Sequence, residues 1–306
     1  MPILFFKPIF MKRIWGDNYF KTNLKYDLDD DLYGEMWSVS AVKNNETFIT
    51  NDEYKGITLS EYFLSHKSQF GSFNEFPLLI KLIHTKDLLS VQVHPDNEYA
   101  KKIENCLGKT ECWYFLDSKK DSFIYFGHHS KSKEELNNAI NNGSCEDLLN
   151  KFYIKKDDFA YIPSKTIHAL GKNLLLLEIQ QSSDITYRLY DYNRLGLNGK
   201  PRELHINKAL DVIDFNNENN IEIKNFKDKN QCNIVDEKFF KIYKFKVSNT
   251  LNLTLDNKYF KIISVIDGTI NIDNHQLKLG ESCVITNEIN NVKLFGNGTI
   301  LLTYAK

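Results

Sequence analysis

The chain has 306 residues, 42% of them apolar and 26% charged, which is ample for a large core and near the length of two modest domains. Its 39 basic and 40 acidic residues leave a net charge of −1, so nothing in the balance calls for nucleic acid or an anionic membrane as a partner. No run approaches the roughly 18 to 20 apolar residues of a membrane span, and five widely spaced cysteines without a CxxC pair read as reduced thiols of a cytoplasmic protein.

The opening LFFKPIFMKRIWG reads as an extended segment with a turn near Gly16. Lys7, Pro8, Lys12 and Arg13 interrupt it and deny it the basic, apolar and cleavage order of a secretion signal. KYDLDDDLYG is loop-like, and EMWSVSAVKN at 35–44 reads as a strand. TLSEYFLSHKSQF at 58–70 has a hydroxyl cap, an acid in its first turn and apolar residues at helical spacing, which predicts a helix. FPLLIKLIHT at 76–85 is a strongly apolar strand in which Lys81 stands among residues that call for burial.

The stretch Leu88 to Asp117, LLSVQVHPDNEYAKKIENCLGKTECWYFLD, organises the chain. Both ends alternate like strands, with a short charged interruption between them. Side chains two apart on a strand share a face, so Gln92 and His94 point one way, and Lys109 and Glu111 point one way. If the two strands pair, an amide, an imidazole, an ammonium and a carboxylate meet over one small area. That area asks for a metal, an anion or both; the plainer alternative is two amphipathic strands with polar solvent faces.

SFIYFGHH at 122–129 is another strand, and SKEELNNAINNGSCEDLLNKF at 132–152 reads as one or two helices broken near Gly143. Strands and tight turns return over 158–194. PRELHINKALDVIDF at 201–215 reads as a helix begun by Pro201. Residues 216–236, rich in Asn, Lys, Asp and Glu, suit a surface connection. From Phe239 to Lys306 only short strands parted by Gly, Asn and Asp turns follow, the pattern of a β-sandwich or barrel. The expected organisation is a metal-binding domain over 1–215, a connection over 216–236 and a metal-free domain over 237–306, whose lone His275 has no paired ligands.

A third polar group lies in DFAYIPSKTIHALGKN, where Tyr161-Ile162-Pro163 ends a strand and His168 begins the next. Alone, such a histidine is a hydrogen-bonded structural residue. After a strand carrying His and Glu, Pro-x4-His is the layout of a small double-stranded β-helix barrel, in which two strand pairs reach one interior. These two segments resemble the two motifs of the cupin family. FFKPIFMKRIWG, GEMWSVSA, PLLIKLIHTKDLLSVQVHPDNEYA, GKTECWYFLD, IPSKTIHALG and EIQQSSDITYRLYDYNR match one cupin branch in content and order, the type I mannose-6-phosphate isomerases. The resemblance covers most of residues 3–210, the tail fits a second cupin domain, and the length is similar to the short bacterial form without a helical insertion domain. Two departures touch turns: Lys165 stands where the family has Gly, and Lys172 where it has Asn, with Asn173 one further on.

The resemblance implies a mainly β fold of two cupin-type double-stranded β-helix (jelly-roll) domains with a few peripheral helices, acting in the cytoplasm as a monomer or homodimer. It also implies a zinc-dependent aldose–ketose isomerase acting on a sugar phosphate. By residue chemistry alone, His94, Glu111 and His168, with the Gln92 oxygen as a fourth ligand, suit Zn²⁺, but two His and one carboxylate also suit the Fe²⁺ of oxygenases. One Zn²⁺ per chain follows from the resemblance. Three cations near one site, Lys81, Lys109 and Arg188, are costly unless an anion binds, and a phosphate ester answers that need. The family ties the positions of Lys109, Asp184 and Arg188 to catalysis; Lys81, Ser90 and Arg188 are the expected substrate contacts. Glu178 is a weaker candidate base, and Trp15, Glu35 and Trp37 read first as packing. Two other classes stand beside this reading. A cupin dioxygenase would leave the cations unexplained. A non-catalytic sugar-binding cupin acting as a regulator would want a DNA-binding helix-turn-helix, which the sequence does not show, and the near-neutral charge speaks against it too.

Overall fold

The computed structural model describes residues 3–215 and 222–306, and among these no helix is long and apolar enough to cross a membrane. Antiparallel strands dominate, as expected of a mainly β cupin architecture. The compact units are not the contiguous segments expected from sequence. One gathers the start of the chain through Phe10, Met36–Leu82 and Phe226–Lys306; the other is made of the described residues of Met11–Glu35 and Ile83–Asn225. Within the expected connection, Ile223–Asn225 and Gln231–Asp236 are strands, while 216–221 lie outside the described residues.

In the first unit an eight-stranded sheet is built around two long strands, Phe240–Thr254 and Asn291–Ala305, which pair along their whole length. Sequence reading cuts both strands at Asn and Gly. The structure instead sets Asn249 (φ 64°) opposite Gly296 (φ 121°), so these left-handed residues bend the paired ribbon without ending it. Val265, Ile270, Leu294 and Ile300 form the core there, joined by Ile3 and Phe5 from the first strand, Ile3–Lys7.

The second unit carries the polar groups singled out above. Its five-stranded sheet places Val91–Val93 between His168–Leu170 and Tyr187–Tyr190. In a second sheet, Glu111–Ser118 lies between Asp158–Ile162 and Leu174–Gln181. The strands of Gln92 and Glu111 do not pair; they belong to different sheets. Alternation explains how they still meet. Val91, Val93, Ile167, Ala169, Tyr187 and Leu189 pack outward with the helices Lys133–Asn142 and Ile206–Val212. Trp113, Phe115, Ile162 and Leu170 pack inward between the sheets. With a period of two, the residues interleaved with the outward set, Gln92, His168 and Arg188, face the interior with the Glu111 and Trp113 set.

Several boundaries differ for local reasons. The charged interruption is the helix Asn97–Ile103, capped by the Asp96 carboxylate accepting from Tyr99 N. The helix begun by Thr58 is present as Leu59–Ser65, with a capping box between Thr58 and Glu61. Gly143 ends Lys133–Asn142 in left-handed backbone, but Leu149–Tyr153, read as helix, is a strand against Phe123–His128. Pro201 opens no helix; it bridges to Leu195, and the helix begins at Ile206.

Candidate metal centre

The ligating atoms of His94, Glu111 and His168 lie within 4.8 Å of one another, and all three side chains are buried. His94 Nε2 is 3.5 Å from Glu111 Oε2, His168 Nε2 is 3.3 Å from Glu111 Oε1, and the two imidazole Nε2 atoms are 3.2 Å apart. His168 Nδ1 donates to the Thr166 carbonyl at 2.9 Å, which fixes the tautomer and turns the Nε2 lone pair inward. Burial pushes the His168 pKa down to about 4, helped by the Lys109 charge, so this ring is a neutral donor. The Gln92 side-chain nitrogen stands 3.2 Å from the same Nε2 and donates to it. Two imidazole nitrogens and a carboxylate in one buried cluster are a donor set that fits a divalent cation.

The other charged side chains have defined partners. Lys109 Nζ is 2.9 Å from Glu111 Oε2. Burial opposes its charge, but the carboxylates of Glu111, then Glu178 and Asp184, outweigh it and raise the Lys109 pKa. Arg188 lies in register with Gln92, which pairs in turn with His168, so one row across three strands carries imidazole, amide and guanidinium. Arg188 donates from Nε to Ser90 Oγ at 3.2 Å and from Nη1 to the Glu203 carbonyl at 2.7 Å. Asp184 is exposed, and its charge acts on both Lys109 and Arg13. Glu178 is buried and accepts from Trp113 Nε1 at 2.9 Å. Lys81 is buried in Leu78–Thr85, on the part belonging to the first unit, with its ammonium 4.9 Å from the Trp37 ring centroid.

Sequence reading missed the groups that tie these segments together. Arg13, read only as a break in the apolar opening, grips Glu35 with two hydrogen bonds of 2.9 and 3.0 Å. Gln181 accepts from Thr110 N and donates to Asn97 Oδ1, which also accepts from Gly108 N, each at 2.9 Å. Gln180, fully buried, donates to the Ser183 carbonyl beside Asp184. All but the Gln180–Ser183 bond are contacts between separate segments and leave no local pattern. One departure from the family explains itself: Lys165 takes φ 73°, the backbone that a glycine would take, and its ammonium pairs with Asp96 at 2.5 Å. Its amide donates to the His94 carbonyl at 2.7 Å, so the turn remains closed over the candidate metal ligand.

An antiparallel barrel with a buried His–Glu–His cluster, flanked by Lys109 and Arg188, defines a cupin with a candidate metal centre. The family model for the phosphomannose isomerase type I catalytic domain matches residues 4–141, and that for the mannose-6-phosphate isomerase cupin domain matches residues 230–305. A mannose-6-phosphate isomerase of Streptococcus mutans is 36% identical over 99% of this chain and 98% of its own. The Bacillus subtilis mannose-6-phosphate isomerase ManA is 42% identical over 87% of this chain and 85% of its own. A crystal structure of a Bacillus subtilis mannose 6-phosphate isomerase superposes with a TM-score of 0.90 at 36% identity, covering 99% of both chains. This chain belongs to the type I phosphomannose isomerase family.

Proposed function

We propose that the chain interconverts mannose 6-phosphate and fructose 6-phosphate, with one Zn²⁺ held by His94, Glu111 and His168 and by the Gln92 oxygen. The observation that carries this reading is the buried three-donor cluster beside Lys109 and Arg188 in a member of this family. When bound, zinc would act as a Lewis acid that positions the sugar oxygens and offsets developing negative charge.

The remaining work falls to the side chains. An aldose–ketose isomerisation moves a proton between C1 and C2 through an ene-diolate, and needs an acid, a base and a holder of charge. Lys109, kept protonated by its carboxylate neighbours, enters as the donor to a sugar oxygen. Asp184 is the carboxylate left to accept the carbon-bound proton, since Glu178 is engaged by Trp113. Arg188 is oriented by Ser90 and the Glu203 carbonyl and presents its charge to the ene-diolate or the phosphate. Ser90 serves the substrate through that contact; the assignment of Lys81 to the substrate rests on the resemblance alone. Action in the cytoplasm, as monomer or homodimer, belongs to the same reading and agrees with five free cysteines.

The test is to incubate the purified chain with mannose 6-phosphate in heavy water and to analyse its metal content. The expected result is fructose 6-phosphate with deuterium at C1 or C2, made by a protein that carries zinc. No conversion by zinc-loaded protein would overturn the reading, and an iron-loaded protein that consumes dioxygen would point to the oxygenase alternative. Conversion without any label at low turnover would replace the ene-diolate with a hydride shift.

A further inference from the structure

The strand Tyr187–Tyr190 runs into a turn that the reaction scheme leaves without a role. Tyr192 and Asn193 both take left-handed backbone, with φ of 56° and 54°. Two such residues in succession persist only where their surroundings hold them. The group that holds them is Asp191, only 5% exposed. Its carboxylate accepts side-on from Arg202, with Nε at 2.7 Å and Nη2 at 2.6 Å, and also from Arg194 Nε at 2.9 Å. Arg202 stands on the returning limb of the loop, which the Leu195–Pro201 bridge and a Gly196 N to Lys200 O bond of 2.7 Å close.

That limb reaches Arg188 directly. The residue after Arg202 supplies the Glu203 carbonyl that accepts from Arg188 Nη1 at 2.7 Å. His205 N donates to the Arg188 carbonyl at 2.8 Å, and Arg188 N donates to His205 Nδ1 at 3.2 Å. Three guanidinium groups, those of Arg188, Arg194 and Arg202, therefore act on one another across a single buried carboxylate. Neutralising that carboxylate releases the returning limb and leaves like charges to push it away.

We propose that Asp191 is a positioning residue, which sets the direction of the Arg188 guanidinium through Arg202 and the Glu203 carbonyl. The role rests on the reading of Arg188 as a sugar-phosphate group, but the mechanical link does not. Displacement of a reacting group by about 1 Å costs on the order of 10²-fold in rate, so Asp191→Asn is expected to lower kcat about 10- to 100-fold.

The experiment uses the zinc-loaded chain and the variants Asp191→Asn and Arg202→Gln, each alone and combined with Arg188→Ala. Both single variants are expected to lose turnover with zinc content retained, and Arg202→Gln keeps the test open should Asp191→Asn fold poorly. In the Arg188→Ala background either change is expected to cost less than about 2-fold, because coupled residues are not additive. An equal loss in both backgrounds, or none in either, would overturn the proposal. Hydrogen exchange at the His205 amide reads the link without any assay. It is expected to quicken about 10-fold in both variants, consistent with local opening, even if the wild-type chain fails to isomerise mannose 6-phosphate. Unchanged exchange in both overturns the link; quickened exchange in a chain without isomerase activity keeps the link and removes only the reaction assigned to it.

Discussion

His94 and His168 bring their Nε2 atoms to 3.2 Å, and Thr166 has already claimed the other nitrogen of His168. A cation held between these rings and Glu111 would be within reach of all three. His94→Ala and His168→Ala are therefore expected to lose most bound zinc and turnover while keeping the melting transition of the folded chain, since the surrounding barrel has its own apolar core. Elemental analysis and calorimetry check this; full zinc content in both variants would remove the site assignment. Arg188 gives a separate expectation, because its planar fork donates in two directions at once. Lys cannot reproduce that, and loss of one positioned donor costs roughly 10²- to 10³-fold in turnover. Arg188→Lys and Arg188→Ala should both fall in that range with zinc retained, and full activity in both would exclude Arg188 from the reaction.

At the scale of elements, the connection from Val91–Val93 to Glu111–Ser118 sets where Lys109 and Glu111 begin. Gly108 makes the closest approach in it: a Cβ there would lie 2.4 Å from the Asp96 carbonyl carbon and 2.5 Å from Asn97 N. Backbone cannot yield as a side chain does, so Gly108→Ala must shift the start of Glu111–Ser118. The expected loss is about 1 to 3 kcal/mol of stability, as for other overpacking changes, with kcat falling further than that loss explains. Chemical denaturation beside steady-state kinetics measures both; unchanged values would mean that the connection moves freely.

The legibility of the chain divides along the same line. Gln92, His94, Lys109 and Glu111 could be read from alternation, because strand period is a local property. That they meet across two sheets, and not within one paired ribbon, is a tertiary fact that alternation does not contain. His168 is legible from its place after Pro163 and behind the strands carrying His94 and Glu111, and the resemblance adds to that. Arg13 with Glu35, Gln181 with Asn97 and Asp191 with Arg202 are joined by the fold across intervening segments, so no spacing rule finds them. The helix Asn97–Ile103 differs: the sequence shows there only a charged interruption, although Asp96 stands in place as its N-cap.

For the whole molecule, the first unit holds its own continuous apolar core, and among its described residues no His, Cys, Asp and Glu cluster has metal-binding geometry. Its His275 stacks on Phe5 with ring centroids 3.9 Å apart. His275→Ala should remove that contact, worth about 1 kcal/mol for an aromatic pair, lower the melting temperature slightly and leave turnover within a few-fold. A collapse of turnover in a folded variant would assign the C-terminal strands of this unit, Phe226–Lys306, a part in catalysis. The measurement that reaches furthest follows mannose 6-phosphate turnover while a chelator strips the purified chain and zinc is then returned. Turnover is expected to fall in proportion to the metal lost and to come back with one zinc per chain in the wild type, but not in His94→Ala. Undiminished isomerisation by a fully metal-free chain would contradict a metal-dependent reaction at His94, Glu111 and His168.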